Sequence, residues 1–296
     1  MKYKLKFPSG ILKKNIKGRD LSTFKTGGKI KYYFIPNSIE DLKNLLQEIT
    51  KYNIKFFIIG NGSNILISDK GFNGIFINLK GFTNYIEIRK NKIICGASVS
   101  LNTVIEYSKQ YSLSGLENLA GIPGTIGGAL IMNAGAFNTE IGDFVEYVKI
   151  IDRKGKIKTL KQSQIKFSYR KSTPLNKYII LESGLILKKG KRNLIEKKIN
   201  EILKKRELKQ PLEFPSAGSI FKRPANNYAG TLIEKCGLKG FSIGGAMVSE
   251  KHANFIINKK KATSTDIYKL IIYIQKKVYE NFKVNLIPEI KFIGKF

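Results

Sequence analysis

The sequence predicts an α+β protein, and three observations carry that prediction. A strand-like run at residues 30–35, apolar residues at helical spacing (Leu42, Leu45, Leu46, Ile49) and an apolar run at 56–59 follow one another as strand, helix and strand. Short strand patterns then dominate residues 75–187, with one clearly capped helix among them. After Gln210-Pro211 a further section mixes short strands with one long helical repeat.

In the first section, residues 1–74, Thr26-Gly27-Gly28 precedes the run that Pro36 ends. Ser38 is placed to cap the next helix, with Asp41 as its capping-box partner. The run 56–59 reads as a fully buried strand, and Gly60-Asn61-Gly62-Ser63-Asn64 follows it directly. A glycine turn at the carboxyl end of a buried strand is where α/β sheets bind phosphate. No helix follows and no Gly-Lys-Ser/Thr ends it, so it is neither a dinucleotide fingerprint nor a Walker loop. Taken alone, it is equally a hairpin turn.

The second section, residues 75–190, has strand patterns at 75–77, 85–88 and 92–95, then a helix capped by Ser100 with Leu101, Val104, Ile105 and Ser108 on one face. Residues 121–137 read GIPGTIGGALIMNAGAF: five glycines, one proline and no charge. That is wrong for a surface loop and too broken for a core helix. Glycine lets another group approach the backbone, and successive N–H groups form a concave donor surface for pyrophosphate or a heterocycle's carbonyl edge. Any one of these glycines is better explained by packing. The whole run, with Pro123 stiffening its entry and Asn133 able to donate and accept, reads as a cofactor cradle. Strands follow at 145–152, 155–157, 167–170 (which Arg170 ends) and 178–187.

Residues 191–210 form a linking helix with an apolar stripe of Ile195, Ile199, Ile202 and Leu203; its lysines are the solvated face. The third section, 211–285, holds Pro215-Ser216-Ala217-Gly218-Ser219-Ile220-Phe221-Lys222-Arg223-Pro224, a Gly244-Gly245 turn, a strand at 255–257, and a helix through Ile267, Leu270, Ile271, Ile274 and Val278. A return segment, 286–296, carries Pro288-Glu289.

Composition bounds the function. The chain of 296 residues has 53 Lys plus Arg against 22 Asp plus Glu, a net charge of +31. That field attracts polyanions, so nucleic acid is one reading; the lysines are scattered without a stripe, which suits small anionic ligands equally. Cys95 and Cys236 match no disulfide framework or metal spacing, which favours a reducing cytoplasm. Residues 1–20 lack an apolar signal core, and no run approaches the roughly 20 residues that span a bilayer.

Three polar residues sit in small or apolar surroundings. Ser219 follows a tight turn against Ile220-Phe221; the nucleophile elbow of serine hydrolases is absent, which leaves a proton-donating serine. Glu289 lies between Pro288 and Ile290, and Arg170 brings a fixed fork of donors suited to a carboxylate.

Together these segments resemble the UDP-N-acetylenolpyruvoylglucosamine reductase family, in family order and over nearly the whole chain: Gly60 to Asn64, residues 121–137, Tyr169-Arg170, the Ser219 segment, Gly244 through Asn254, and Pro288-Glu289. The resemblance implies a vanillyl-alcohol-oxidase-type two-part FAD-binding fold plus a C-terminal α+β substrate domain that closes over the substrate. FAD would bind non-covalently between the first two sections. Gly60, Asn61, Gly62, Ser63 and Asn64 would wrap its pyrophosphate, and Gly121, Ile122, Pro123, Gly124, Thr125, Gly127, Gly128, Asn133, Ala134, Gly135 and Ile180 would contact the cofactor. NADPH would reduce the flavin, and hydride would pass from N5 to the enolpyruvyl methylene carbon of a UDP-linked sugar.

By the same resemblance, Arg170 would neutralise the substrate carboxyl, a protonated Glu289 would donate a hydrogen bond to it, and Ser219 would deliver the proton. Tyr169, Lys222, Arg223 and Lys239 would bind substrate, and His252 would act only behind them. The chain departs from the family at Phe137-Asn138, often Tyr-Gly, and at Met247, often Gln. The short connection from Arg170 to Tyr178 leaves no room for a tyrosine-bearing loop, so the shorter subgroup is expected, as a cytoplasmic monomer without nucleic-acid or membrane partners. An FAD-dependent hydroxy-acid oxidase of the same fold explains the glycines but not Ser219 and Glu289. A nucleic-acid-binding protein explains only the charge.

Overall fold

The structure, a computed structural model, describes residues 6–296. Strands β1 (Gly10–Lys17) and β2 (Lys29–Pro36) lead into helix α1 (Ile39–Lys51). Ser38 Oγ accepts the Asp41 N–H at 3.1 Å, and Asp41 turns a carboxylate oxygen to the Asn37 N–H at 3.2 Å. Strand β3 (Phe56–Ile58) is half-buried, not fully buried, because it stands at the edge of its sheet. Next come β4 (Ile65–Ile67), β5 (Phe72–Ile77), β6 (Ile86–Arg89), β7 (Lys92–Gly96), α2 (Leu101–Gln110) and β8 (Leu113–Ser114). Ser100 caps α2 as expected, accepting the Thr103 N–H at 3.0 Å.

The glycine-rich run does contain a helix, α3 (Ile126–Met132), contrary to its composition. Thr125 caps its start and Asn133 ends it in the left-handed region, so two good caps offset its two internal glycines. After β9 (Gly135–Ala136), β10 (Thr139–Glu140), β11 (Val145–Ile151) and β12 (Ile157–Lys161), a hairpin of β13 (Lys166–Ser168) and β14 (Lys171–Thr173) precedes β15 (Ile179–Ile186) and β16 (Lys188–Lys189). Arg170 therefore does not end a strand; Tyr169-Arg170 is the two-residue turn of the hairpin, with φ +54° at Arg170. Helix α4 (Arg192–Lys209) buries Ile195, Ile199 and Ile202, but Leu203 is 42% exposed. The buried stripe continues to Arg206, one turn beyond Ile202, which puts Leu203 off to its side. The chain closes with α5 (Ala229–Lys235), β17 (Ser242–Ile243), β18 (Ala246–Val248), β19 (Ile256–Asn258), α6 (Ser264–Phe282) and β20 (Lys291–Ile293).

The chain divides into two compact units. The first takes the chain up to Lys13, Tyr32–Asn61 and Gly74–Lys204. Its sheet of order β1-β2-β5-β3 shares a core with α1 through Phe34, Leu42, Leu45, Ile75 and Ile77. Its second sheet, antiparallel throughout and ordered β12-β11-β15-β7-β6, packs with α2, α3 and α4 through Ile93, Val104, Leu130, Val148, Leu185 and Ile199. Each such buried side chain contributes about 1.5–3 kcal/mol by leaving water.

The second unit takes Lys14–Lys31, Gly62–Asn73 and Lys205–Phe296. The sheet β17-β18-β19 packs with α5 and α6 through Ile233, Val248, Ile256, Ile271 and Ile274, and Phe24 and Leu66 join that core. Strand β20 lies parallel to β4, with Lys291 opposite Ile65. Asp69 caps α6 from outside the helix, accepting the N–H groups of Ser264 at 3.0 Å and Thr265 at 2.8 Å and the Thr265 hydroxyl at 2.7 Å. Among the described residues no helix is long and apolar enough to cross a membrane.

Candidate active site

In the first unit the structure brings the two ends of the glycine segments together. Asn61 Nδ2 donates to the Pro123 carbonyl at 3.3 Å, and a Cβ on Gly60 would collide with the Thr125 hydroxyl. Thr125 Oγ1 accepts the Gly128 N–H at 3.3 Å, while the Ile126 and Gly127 N–H groups donate to Val99 and Ala97, each at 2.9 Å. The start of α3 is thus pinned beyond the end of β7. Asn102, which sequence reading did not single out, holds the entry: its Oδ1 accepts the Gly121 N–H at 2.8 Å and its Nδ2 donates to the Ile122 carbonyl at 3.3 Å.

Whether a flavin fits can be read from the glycines. A Cβ on Gly124 would meet nothing within 4 Å, and one on Gly128 only the Thr125 hydroxyl at 3.5 Å. Neither position is glycine because the protein itself presses on it, and both have ordinary φ. Backbone left bare beside open space fits a flat group lying against it. By contrast, Ile180 is 4% exposed and sits in the core, so its side chain belongs to packing.

Asn133, expected to face the cofactor, is fully buried and engaged by the protein. Its Nδ2 donates to Glu140 Oε2 and, at 3.2 Å, to the Ser168 carbonyl, and its Oδ1 accepts the Gly142 N–H at 3.1 Å. Both N–H donors and the oxygen of the amide are thus engaged by the protein, so its side chain braces the hairpin. Next to it, Arg170 Nη2 donates to the Gly135 carbonyl at 3.1 Å, and its guanidinium carbon lies 4.9 Å from the Tyr169 ring centre. Phe137 and Asn138, both at positive φ, form the turn between β9 and β10.

In the second unit Ser219 and Glu289 are brought onto adjoining backbone. The Glu289 N–H donates to the Ile220 carbonyl at 2.7 Å, and Lys222 N–H donates to Ile287 at 2.9 Å, which sets Phe221 opposite Pro288. On the other side Ser219 bridges Phe255, and the Ile220 N–H donates to Asn254. Asn254, 7% exposed, uses its whole amide on Phe221: Oδ1 accepts the N–H at 3.0 Å and Nδ2 donates to the carbonyl at 2.9 Å. A lone amide between Ala253 and Phe255 was the available signal for this role. Gly218, at φ +74°, presents Ser219 from a turn in which an added Cβ would meet nothing within 4 Å. Asn64 belongs to this unit too: its carbonyl accepts the Lys291 N–H at 3.0 Å and its Nδ2 donates to the Glu289 carbonyl at 3.4 Å. Gly62 has φ +66° and accepts the Thr23 N–H at 3.2 Å; Ser63 beside it is half-buried.

The cations of this unit differ in engagement. Lys222 is half-buried, Arg223 is exposed with its guanidinium 4.1 Å from the Tyr228 ring centre, and Lys239 pairs with Glu234 at 2.6 Å. Burial holds the His252 pKa below its ordinary value, and its Nδ1 accepts the Asn254 N–H at 3.2 Å. Neutral His252 thus supports Asn254. Met247 lies half-buried on β18 opposite Ile257. Among the described residues no cluster of His, Cys, Asp and Glu could hold a metal ion.

Comparisons with known proteins match both units. A family model described as FAD binding domain matches residues 30–161, and one described as UDP-N-acetylenolpyruvoylglucosamine reductase, C-terminal domain, matches residues 210–293. The UDP-N-acetylenolpyruvoylglucosamine reductase of Caldanaerobacter subterraneus subsp. tengcongensis is 46% identical over 274 residues, covering 92% of this chain and 90% of that protein. That of Listeria monocytogenes serotype 4a is 43% identical over 289 residues, 97% of each. The crystal structure of UDP-N-acetylenolpyruvylglucosamine reductase from Thermus caldophilus is 30% identical and superposes with a TM-score of 0.83, covering 97% of this chain and 99% of that one.

Proposed function

The chain belongs to the UDP-N-acetylenolpyruvoylglucosamine reductase family, and from that premise we propose that it reduces the enolpyruvyl ether of UDP-N-acetylglucosamine to UDP-N-acetylmuramate for peptidoglycan precursor synthesis. NADPH is the reductant in this reading. When bound, non-covalently, FAD would supply two-electron hydride chemistry between NADPH and the enolpyruvyl double bond.

The protein's own residues bind the cofactor and handle charge and the proton. Backbone amides of Gly60, Asn61, Gly62, Ser63 and Asn64 would hold its pyrophosphate, and the backbone of Gly121 to Gly135, bare at Gly124 and Gly128, would hold its ring system. Adding hydride to the methylene carbon pushes negative charge toward the substrate carboxylate. Arg170, a fixed fork of donors, neutralises that charge, and Glu289 in its protonated form adds a hydrogen bond. The Ser219 hydroxyl donates its proton to the carbon beside the carboxylate, completing the addition of hydride and proton across the double bond. Lys222, Arg223 and Lys239 attract the diphosphate.

One observation supports this reading most. The Glu289 N–H donates to the carbonyl of Ile220, the residue after Ser219, so the candidate carboxyl and proton donor are carried on hydrogen-bonded backbone. We assign the protein to the cytoplasm as a monomer, with neither nucleic acid nor membrane among its partners; the free thiols Cys95 and Cys236 accord with a reducing compartment.

The test is Ser219→Ala, followed by stopped-flow absorbance of each half-reaction. Flavin reduction by NADPH stays near the parent rate while reoxidation by the enolpyruvyl sugar slows by about 10²–10⁴-fold. Equal losses in both halves mean that Ser219 only shapes the fold.

A further inference from the structure

Asn133 links the flavin cradle to Arg170, and its engagement by the protein gives it a role of its own. It closes α3 in the left-handed region and is fully buried. Its Nδ2 donates to the carbonyl of Ser168, the residue just before the Tyr169-Arg170 turn. A second tie comes from the other strand of that hairpin, where buried Ser172 donates from Oγ to the Ile131 carbonyl at 2.9 Å. A third is made by Arg170 itself, through Gly135. The stretch from the end of α3 to β9 and the hairpin that carries Arg170 are therefore tied to one another at three points, and packing leaves no slack. A Cβ on Gly142 would lie 2.6 Å from the Phe167 ring and 2.8 Å from Asn133 Oδ1.

We propose that Asn133 is a positioning residue for Arg170, setting where the guanidinium stands relative to the backbone of the glycine cradle. The inference rests on the reading of Arg170 as the cation that neutralises the substrate carboxylate. A guanidinium aimed at a developing charge loses most of its effect when displaced by about 1 Å. Only an amide satisfies this place, because Gly142 requires an acceptor and Ser168 and Glu140 require donors. An aspartate of nearly the same shape keeps the acceptor and, when ionised, turns oxygen toward both the Ser168 carbonyl and the Glu140 carboxylate.

The experiment is a double-mutant cycle on the FAD-loaded full chain, with Asn133→Asp, Arg170→Ala and the pair. Flavin reduction by NADPH and reoxidation by the enolpyruvyl sugar are followed separately. Asn133→Asp is expected to slow reoxidation by at least about tenfold more than reduction, and to add less than about twofold to the loss already caused by Arg170→Ala. Losses that multiply overturn the inference, since Asn133 then acts by another route. If Arg170→Ala leaves reoxidation unchanged while Ser219→Ala slows it, the role given to Arg170 falls, and this inference with it. Should Asn133→Asp fail to fold, Ser172→Ala cuts a different tie to the same turn. A smaller selective loss that vanishes in the Arg170→Ala background supports the inference, and an additive or absent effect overturns it.

Discussion

Gly128 separates what the fold needs from what a ligand needs. It lies in α3, is exposed, and has only the Thr125 hydroxyl near its absent Cβ. Alanine is the better helix residue, so Gly128→Ala is expected to leave the apoprotein as stable or more stable by roughly 0.5–1 kcal/mol. In the proposed cradle the same methyl group would intrude on the flavin and is expected to weaken FAD binding by about 1–3 kcal/mol. Thermal unfolding of the apoprotein and a flavin fluorescence titration read the two effects separately; unchanged FAD affinity refutes the cradle. At this scale Ser219 and Glu289 were legible as polar residues in apolar or small surroundings, whereas Arg170 stands between Tyr169 and Lys171. What the Asn133 side chain engages was not legible, because an asparagine's type does not reveal whether its amide faces a ligand or its own backbone. Its partners Gly142 and Ser168 lie 9 and 35 residues further on, across turns and strands, beyond the reach of a periodicity argument.

Elements were most legible where caps and repeats agree. Ser38 and Ser100 each start the helix they were expected to start, and Ile267, Leu270, Ile271, Ile274 and Val278 are buried along α6. Helix α3 escaped notice because composition outweighed its caps, Thr125 and Asn133. The hairpin turn at Tyr169-Arg170 was hidden because strands of three residues carry almost no alternation. Asp69 shows a further device that no local pattern reveals, a carboxylate from the β4–β5 connection capping the N-terminus of α6. Asp69→Ala removes three accepted hydrogen bonds and a favourable charge at the helix start, and is expected to destabilise the protein by about 1–2 kcal/mol. Urea unfolding checks this: the midpoint falls while the slope stays the same. An unchanged midpoint means that the Thr263 and Asp266 capping box holds α6 alone.

For the whole molecule, the α+β class was legible in the order of strand and helix patterns, and the family in the order of its motifs. The long-range pairings were not. Strand β20 lies along β4 from nearly the opposite end of the chain, and Phe24 and Leu66 join the core of the C-terminal section. Such pairing depends on tertiary packing that three-residue strands do not announce. The net charge of +31 was the most conspicuous feature and the least informative, since it fits any anionic partner. The cofactor and the acceptor discriminate. The central claim is therefore tested most directly by the visible spectrum of the FAD-loaded protein under anaerobic conditions, first with NADPH and then with the UDP-linked enolpyruvyl sugar. The account predicts a flavin spectrum that NADPH bleaches and the sugar restores in equal amount without oxygen. A flavin that stays bleached with the sugar and recovers only in air would contradict it.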